Sequence, residues 1–363
     1  MLAMHMANEL LDLPTSALTL ALGAAAVGLA IHRLRGQLPP EKLPLLGVLG
    51  AFVFAAQMIN FSLPLLPGTS AHLGGAVLLA ILLGPSAAIV VMTAVLMVQC
   101  LLFQDGGLLA LGCNIINMGV VPALAGGWIY RRLLGRPESA GGTRRYLACW
   151  AACTVGVAAG AALVPVETLM GGRLLIDARD FLAVMLGLHL VIGLIEGTIT
   201  SAVLGFLARV RPAVLGLSAP PSQTTPRSRW DRLAMPLPLL ATALLLAGLG
   251  SWFASAHPDG LEWSLLRGGE HSTLAQPTGL AATIDRWQKR WSLMTDYTRR
   301  DQPLGQESAQ NSSPPAVQSA WPNPDGWKSL AGLVGTLATL AALAGISQVL
   351  RTRRHARHAD HAP

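Results

Sequence analysis

Ser86-Ala87-Ala88-Ile89-Val90-Val91-Met92-Thr93-Ala94-Val95-Leu96-Met97-Val98-Gln99-Cys100-Leu101-Leu102-Phe103-Gln104 is the stretch that decides the fold. It carries no charge from end to end. A helix crossing the hydrocarbon core of a bilayer needs about 20 apolar residues. The rest of the 363-residue chain agrees, with 52% hydrophobic residues, a mean hydropathy of +0.50 and 12% charged residues. Soluble domains carry about 25% charged residues. Apolar spans are predicted at 15–33, 43–61, 72–84, 86–104, 108–131, 146–166, 181–208, 235–256 and 330–350. The chain therefore reads as an all-α polytopic membrane protein with about nine spans, a seven-span core and a two-span appendage. The short span 72–84 pairs with 86–104 around Gly84-Pro85, a break tolerated where neighbours satisfy the freed backbone groups. The 38 glycines suit closely packed helices in lipid.

The net charge of +7 and pI of 9.8 could point to nucleic acid. The arginines instead fall in short loops. Arg33 and Arg35 share one with Lys42. Arg131, Arg132, Arg136, Arg144 and Arg145 share another, Arg209, Arg211, Arg227, Arg229 and Arg232 a third, and Arg351, Arg353, Arg354 and Arg357 lie in the tail. Nine spans with the N-terminus outside place all four clusters in the cytoplasm, as the positive-inside rule asks. The expected location is the cell (inner) membrane, with the C-terminus cytoplasmic. Glu9 and Asp12 precede the first span where a cleaved leader needs basic residues, so cleavage is not expected.

Residues 212–230 are rich in Pro, Ser and Thr and read as a cytoplasmic linker. They divide a membrane core, 1–211, from an appendage, 231–363. The polar segment 257–327 between the appendage's two spans shows no packed core of its own. Cys100, Cys113, Cys149 and Cys153 sit in apolar segments and read as buried thiols without a disulfide framework.

Candidate chemistry begins with His72, at the mouth of a span where an ionisable side chain is costly to bury. His5 lies directly after Met4. In a chain beginning at Met4, the amine, the His5 amide nitrogen and His5 Nδ1 close two fused chelate rings. His72 would complete a planar nitrogen set of the kind that suits Ni(II) or Cu(II). The plainer alternatives are a solvated terminal His5 and a His72 bonded to a backbone carbonyl. Gln57, Asn60, Asn114 and Asn117 lie at membrane depth, where they could hold the other ring nitrogens or simply bond between helices. His189 and Glu196 share a helix face, as a proton relay or a structural pair. Ala21, Ala25, Ala26 and Ala30 form a small-residue stripe, and His355, His358 and His361 punctuate a basic tail. No P-loop, nucleophile elbow or HExxH motif is present, so the chain itself is expected neither to hydrolyse ATP nor to be an enzyme.

Several ordered stretches together resemble a known family. They are Met4-His5, Ala55-Ala56-Gln57-Met58-Ile59-Asn60-Phe61, Gly68-Thr69-Ser70-Ala71-His72-Leu73-Gly74-Gly75, Gly84-Pro85, Phe103-Gln104-Asp105-Gly106-Gly107 and Asn114-Ile115-Ile116-Asn117-Met118. They are similar to the CbiM/NikM family, the substrate-binding membrane components of energy-coupling-factor cobalt and nickel transporters. Pro258-Asp259-Gly260-Leu261-Glu262, with Asp296-Tyr297 and Pro324-Asp325-Gly326, resembles the small PDGLE-type component fused behind it. The resemblance implies a metal held by the Met4 amine, His5 and His72. It also implies Ni(II) or Co(II) as cargo with no prosthetic group, and a complex with a transmembrane coupling protein and two cytoplasmic ATPases. Met1-Leu2-Ala3 departs from the pattern and suggests that the true start is Met4. The rival expectation is a proton-coupled secondary transporter or channel using Glu196 and His189.

Overall fold

The computed structural model describes residues 5–37, 42–63, 65–135, 141–172, 177–210, 215, 236–255, 257–267, 278–298 and 322–359. Met4, the His361 side chain and, apart from Leu215, the expected linker 212–230 lie outside the described residues. So do the side chains of His355 and His358.

Each of the nine apolar segments contains helix among the described residues, though 43–61 ends on a strand at Phe61 and 72–84 becomes helical only at Ala76. Among the described residues six helices are long and apolar enough to cross a membrane, over 13–34, 85–103, 111–134, 142–170, 178–209 and 326–350. In order they belong to α1 (Leu13–Gln37), α4 (Pro85–Val98), α5 with α6 (Leu111–Asn114 and Val121–Leu134), α7 (Gly142–Met170), α8 (Ala178–Val210) and α12 (Gly326–Ala359). The remaining apolar segments are shorter: α2 (Leu43–Gln57), α3 (Ala76–Leu83) and α9 (Pro236–Gly248). The protein is thus an all-helical polytopic membrane protein.

Local chemistry sets the boundaries. The Asp12 carboxylate accepts from Thr15 N at 2.9 Å and caps α1, whose first turn holds Pro14. Gly84 ends α3 at φ +89°, a conformation that a side chain resists, and Pro85 opens α4. Both α4 and α5 run on as π turns, Gln99–Phe103 and Ile115–Val120. Such turns are rare and recur at functional sites.

Small residues set the packing. Gly193 of α8 lies against the backbone of Thr154, and Gly197 lies against Trp150. A Cβ at either position would force α7 and α8 apart, which matters in lipid because close contact replaces the hydrophobic drive. On the other side, α9 and α12 pack on α2. Gly335 of α12 meets the Phe54 ring, and Phe54, Val95, Phe103, Met294 and Ala331 share one buried cluster.

One end of the bundle, the N-terminal face, gathers the loops. Residues 5–12 enter there with Met6, Leu10 and Leu11 buried. A two-stranded hairpin, β1 (Phe61–Ser62) and β2 (Ser70–Ala71), pairs antiparallel with Phe61 opposite Ala71. Two further helices, α10 (Gly260–Arg267) and α11 (Gly279–Trp291), lie on the same face. The segment around them was expected to lack a core. It packs on the membrane core instead, burying Leu261, Leu265, Asp285 and Gln288.

Candidate metal centre

The N-terminal segment is held almost entirely by side chains. Asn114 accepts from Met6 N at 2.8 Å and donates to Met6 O at 3.2 Å, while Gly107 N donates to Met6 O at 2.9 Å. Asn8 accepts from Leu109 N at 2.9 Å through its carbonyl. Its amide donates to Asp285 and to Gln288, each at 2.9 Å. Gln288 also ties down the loop after α4, donating to Cys100 O at 3.0 Å and Gly106 O at 2.9 Å and accepting from Leu108 N at 2.9 Å. His5 is thereby fixed at the head of a segment threaded between α4, α5 and α11.

His72 is placed by backbone and by one buried carboxylate. Ser70 N donates to Pro258 O at 2.8 Å, adding a parallel bridge to Asp259. Beyond His72, Glu196 accepts from Gly74 N at 2.9 Å and Gly75 N at 3.0 Å. Gln57 donates to Gly74 O at 2.8 Å and accepts from Gln99 at 2.9 Å. A Cβ on Gly74 would collide with Glu196, so glycine is what lets the carboxylate reach both amides.

The two segments bring the histidines together. Their rings stack with centroids 5.6 Å apart and planes 18° from parallel, at 2% and 3% exposure. His72 Nδ1 faces the Leu73 carbonyl at 3.0 Å. His5 Nδ1 lies 2.7 Å from Asp105 Oδ1 but out of line for a hydrogen bond. His5 Nε2, His72 Nε2 and the oxygens Gln99 Oε1 and Gln104 Oε1 are buried without a partner. Buried polar atoms are paired in the great majority of cases. These open atoms mark the candidate site, and imidazole nitrogen is a ligand type that suits divalent transition metals. Among the described residues no three His, Cys, Asp or Glu side chains form a group able to hold a metal unaided.

The histidines also divide two spaces. His5 lines an open polar cleft of ≈ 340 Å³ with Asn8, Asp105, Asp285 and Gln288. His72 lines a deeper, more apolar cavity of ≈ 600 Å³ with Asn117, Met185, His189 and Glu196.

Electrostatics separates the two rings as well. Burial and the neighbouring His5 lower the His72 pKa to about 4, so it is neutral with a free lone pair. Burial pulls His5 the same way, but the Asp105 carboxylate prevails and raises it above the ordinary value. In turn burial pushes Asp105 up, yet His5 and the Tyr297 hydroxyl hold it below the usual carboxylate range. Tyr297 donates to Asp105 Oδ2 and stacks on Phe103, centroids 4.8 Å apart. Burial raises Asp259 to about 8.

Of the residues singled out from sequence, His5 and His72 converge, and Met4 lies outside the described residues. Gln57, Asn114 and Asn117 are buried at the site, but Gln57 and Asn114 brace the backbone and Asn117 bonds to other side chains, none of them to a ring. Asn117 donates to Glu167 at 2.6 Å and to Met6 Sδ at 3.6 Å. The Asn60 backbone carbonyl accepts from Ser255 N at 2.7 Å. His189 bonds to Met185 O at 2.8 Å, and Glu196 to the glycine amides, so each has a partner other than its neighbour on α8. Asp105, Asp285, Gln288 and Tyr297 were missed as site residues. Asp105 and Tyr297 lie in stretches that carry the family resemblance, and Asp105 has a local signal besides, an acidic residue between a span end and two glycines.

The profile of a family described as the cobalt uptake substrate-specific transmembrane region, CbiM, matches residues 5–214, and that of the PDGLE domain matches 234–352. The fused nickel transport protein NikMN of Rhodobacter capsulatus is 29% identical over 321 residues, 83% of this chain and 91% of that protein. A protein of Archaeoglobus fulgidus provisionally named fused nickel transport protein NikMN is 38% identical over 220 residues, covering 61% of this chain and 70% of its own length. The cobalt transport protein CbiM of Sorangium cellulosum is 30% identical over 217 residues, 58% of this chain and 94% of that protein. A crystal structure described as a truncated transition metal transporter is 30% identical, covers 57% of this chain and 99% of its own, and has a TM-score of 0.49.

Proposed function

We infer the function from one premise: this chain belongs to the CbiM family of cobalt-uptake substrate-specific transmembrane proteins, and carries a PDGLE domain behind it. It is a metal-uptake component that captures Ni(II) or Co(II) on the outward side of the membrane and passes it inward. The observation that carries this reading is the stacked, buried pair His5 and His72, with no partner for either Nε2.

The reading divides the chain into a metal-binding core (1–211), a linker (212–230) and an appendage (231–363). With Met4 at the amino end, its amine, the His5 amide nitrogen and the His5 ring chelate the cation, and His72 supplies the last nitrogen. Such a planar set favours nickel. On this account the metal replaces the proton that Asp105 holds on the His5 ring, so capture releases protons. His72, neutral already, has only to offer its lone pair. Because the sequence holds no nucleotide-binding motif, ATP hydrolysis is assigned to two partner ATPases acting through a coupling protein. The N-terminus is outside in this arrangement, in keeping with arginine clusters on the opposite loops. The rival, a proton path through Glu196 and His189, loses ground because both side chains are engaged in fixing local backbone.

The test is calorimetric titration of the purified full chain with Ni(II) and Co(II), after mass spectrometry of its amino end. Met4 is expected as the first residue. His5→Ala and His72→Ala are each expected to lose about a hundredfold in affinity or more. Undiminished affinity in both variants would sink the site, and nickel uptake unchanged without the ATPases would sink the energy source.

A further inference from the structure

Helix α11 is built inside out. Its buried stripe is Ala281, Asp285 and Gln288, continuing to Ser292, and this polar face grips Asn8 and the loop after α4. A second stripe, about 100° round the helix, is Leu280, Ile284, Trp287 and Trp291, spaced by four, three and four residues as one helical face. Leu280 is 61% exposed, Trp287 50% and Trp291 67%, and the two indoles contact each other at 6.2 Å. A soluble helix places these residues the other way round. Arg286 and Arg290 are also exposed, while Lys289 pairs with Asp285 at 2.7 Å.

The position of the helix says what covers that face. Gln288 bonds to the carbonyl of Cys100, in the last turn of the α4 span, and Leu293 N donates to Leu102 O at 2.8 Å. The helix is therefore level with the end of a transmembrane segment whose Met97 and Leu101 are open to the surroundings. Leu293 is open there too. Tryptophan prefers this depth, with its ring among acyl-chain ends and its N–H among headgroups, and nearby Arg and Lys reach phosphates.

We propose that α11 is a membrane-surface helix. Leu280, Ile284, Trp287 and Trp291 rest in the headgroup boundary of the leaflet on the site-bearing side, while Asp285 and Gln288 close the cleft beneath. The proposal stands on the helix pattern and its level, independent of which ion the cleft takes. It gives the leaflet a direct hold on the residues that clamp the N-terminal segment.

The full chain, purified without partners, is placed in bilayer discs of phosphatidylcholine with or without bromine near the top of the acyl chains. Subtracting the emission of the Trp287→Phe/Trp291→Phe variant from that of the parent isolates the pair. Bromine is expected to quench that difference emission by about half, with acrylamide having little effect. In a second measurement Leu280→Cys carries a nitroxide, the four native cysteines being buried and so unlabelled. Oxygen is expected to relax the label more than chromium oxalate does. A pair quenched by acrylamide and untouched by bromine, or a label that chromium oxalate reaches freely, overturns the proposal and leaves the face for a protein partner.

Discussion

The two histidines arrive on segments built by opposite means. Residues 5–8 are gripped by single side chains from distant elements: Asn114, Asp105, Asp285 and Gln288. The His72 loop is gripped by a hairpin, a bridge to Asp259 and a carboxylate that takes two adjacent amides. Side-chain grips release one rotamer at a time, whereas a backbone ladder lets go only as a unit. The contrast makes the N-terminal segment the half that yields and the His72 loop the half that stays.

The most disruptive way to break that contrast is Glu196→Ala. It leaves the Gly74 and Gly75 amides buried without an acceptor, at about 1–3 kcal/mol each. Nickel affinity by calorimetry is expected to fall by up to about a hundredfold as His72 loses its support. Equal affinity to the parent would show that the loop does not need its anchor. Acid should separate the halves next. His5 has a raised pKa, so its protonated form persists to higher pH and competes with the metal, while His72, at about 4, is neutral above roughly pH 5. Affinity is expected to drop by about tenfold per pH unit for each displaced proton below the His5 pKa. Asp105→Asn removes the raising charge and should move that limb to lower pH. A limb that stays put would show that His5 does not govern it.

Asn8→Ala sharpens the comparison by loosening only the yielding half. It deletes three hydrogen bonds worth about 0.5–1.5 kcal/mol each. Nickel release into a chelator should quicken by about tenfold while the melting temperature changes little, and a lower melting temperature with unchanged release would contradict the division. The smallest effect is expected from Tyr297→Phe, which keeps the ring on Phe103 and removes one donor from Asp105. About 1 kcal/mol, a few-fold in affinity, should be lost, with a shifted visible band of the bound nickel. No change in either would mean that the C-terminal region is silent at the site.

The spans were legible because uncharged runs of membrane length admit few alternatives, and the Gly84-Pro85 break because both residues carry fixed backbone preferences. His5 and His72 were legible as titratable residues in costly places. The rest of the cleft was not. Asn8 meets Asp285 and Gln288 across 277 and 280 residues, and no local pattern encodes such a contact. The segment around α10 and α11 looked coreless because its few buried apolar residues, Leu261 and Leu265, and its buried polar residues, Asp285 and Gln288, find their partners on the membrane core. The inverted stripe of α11 was present in the sequence, but only the hydrogen bonds of Gln288 reveal which side faces in.

The two π turns have a consequence for lineage. Each closes its hydrogen bonds over five residues where the α-helix closes over four, so losing a single codon in Gln99–Phe103 or Ile115–Val120 would not merely shorten a helix. It would restore ordinary winding and turn the residues of the wide turn by up to about 100° around the helix, while the segment beyond keeps roughly its facing. Asn114 would stay clasped to Met6 while Asn117 swung away from Glu167. Insertions and deletions there are therefore expected to be far less tolerated than substitutions, which makes residue count itself part of the site's specification.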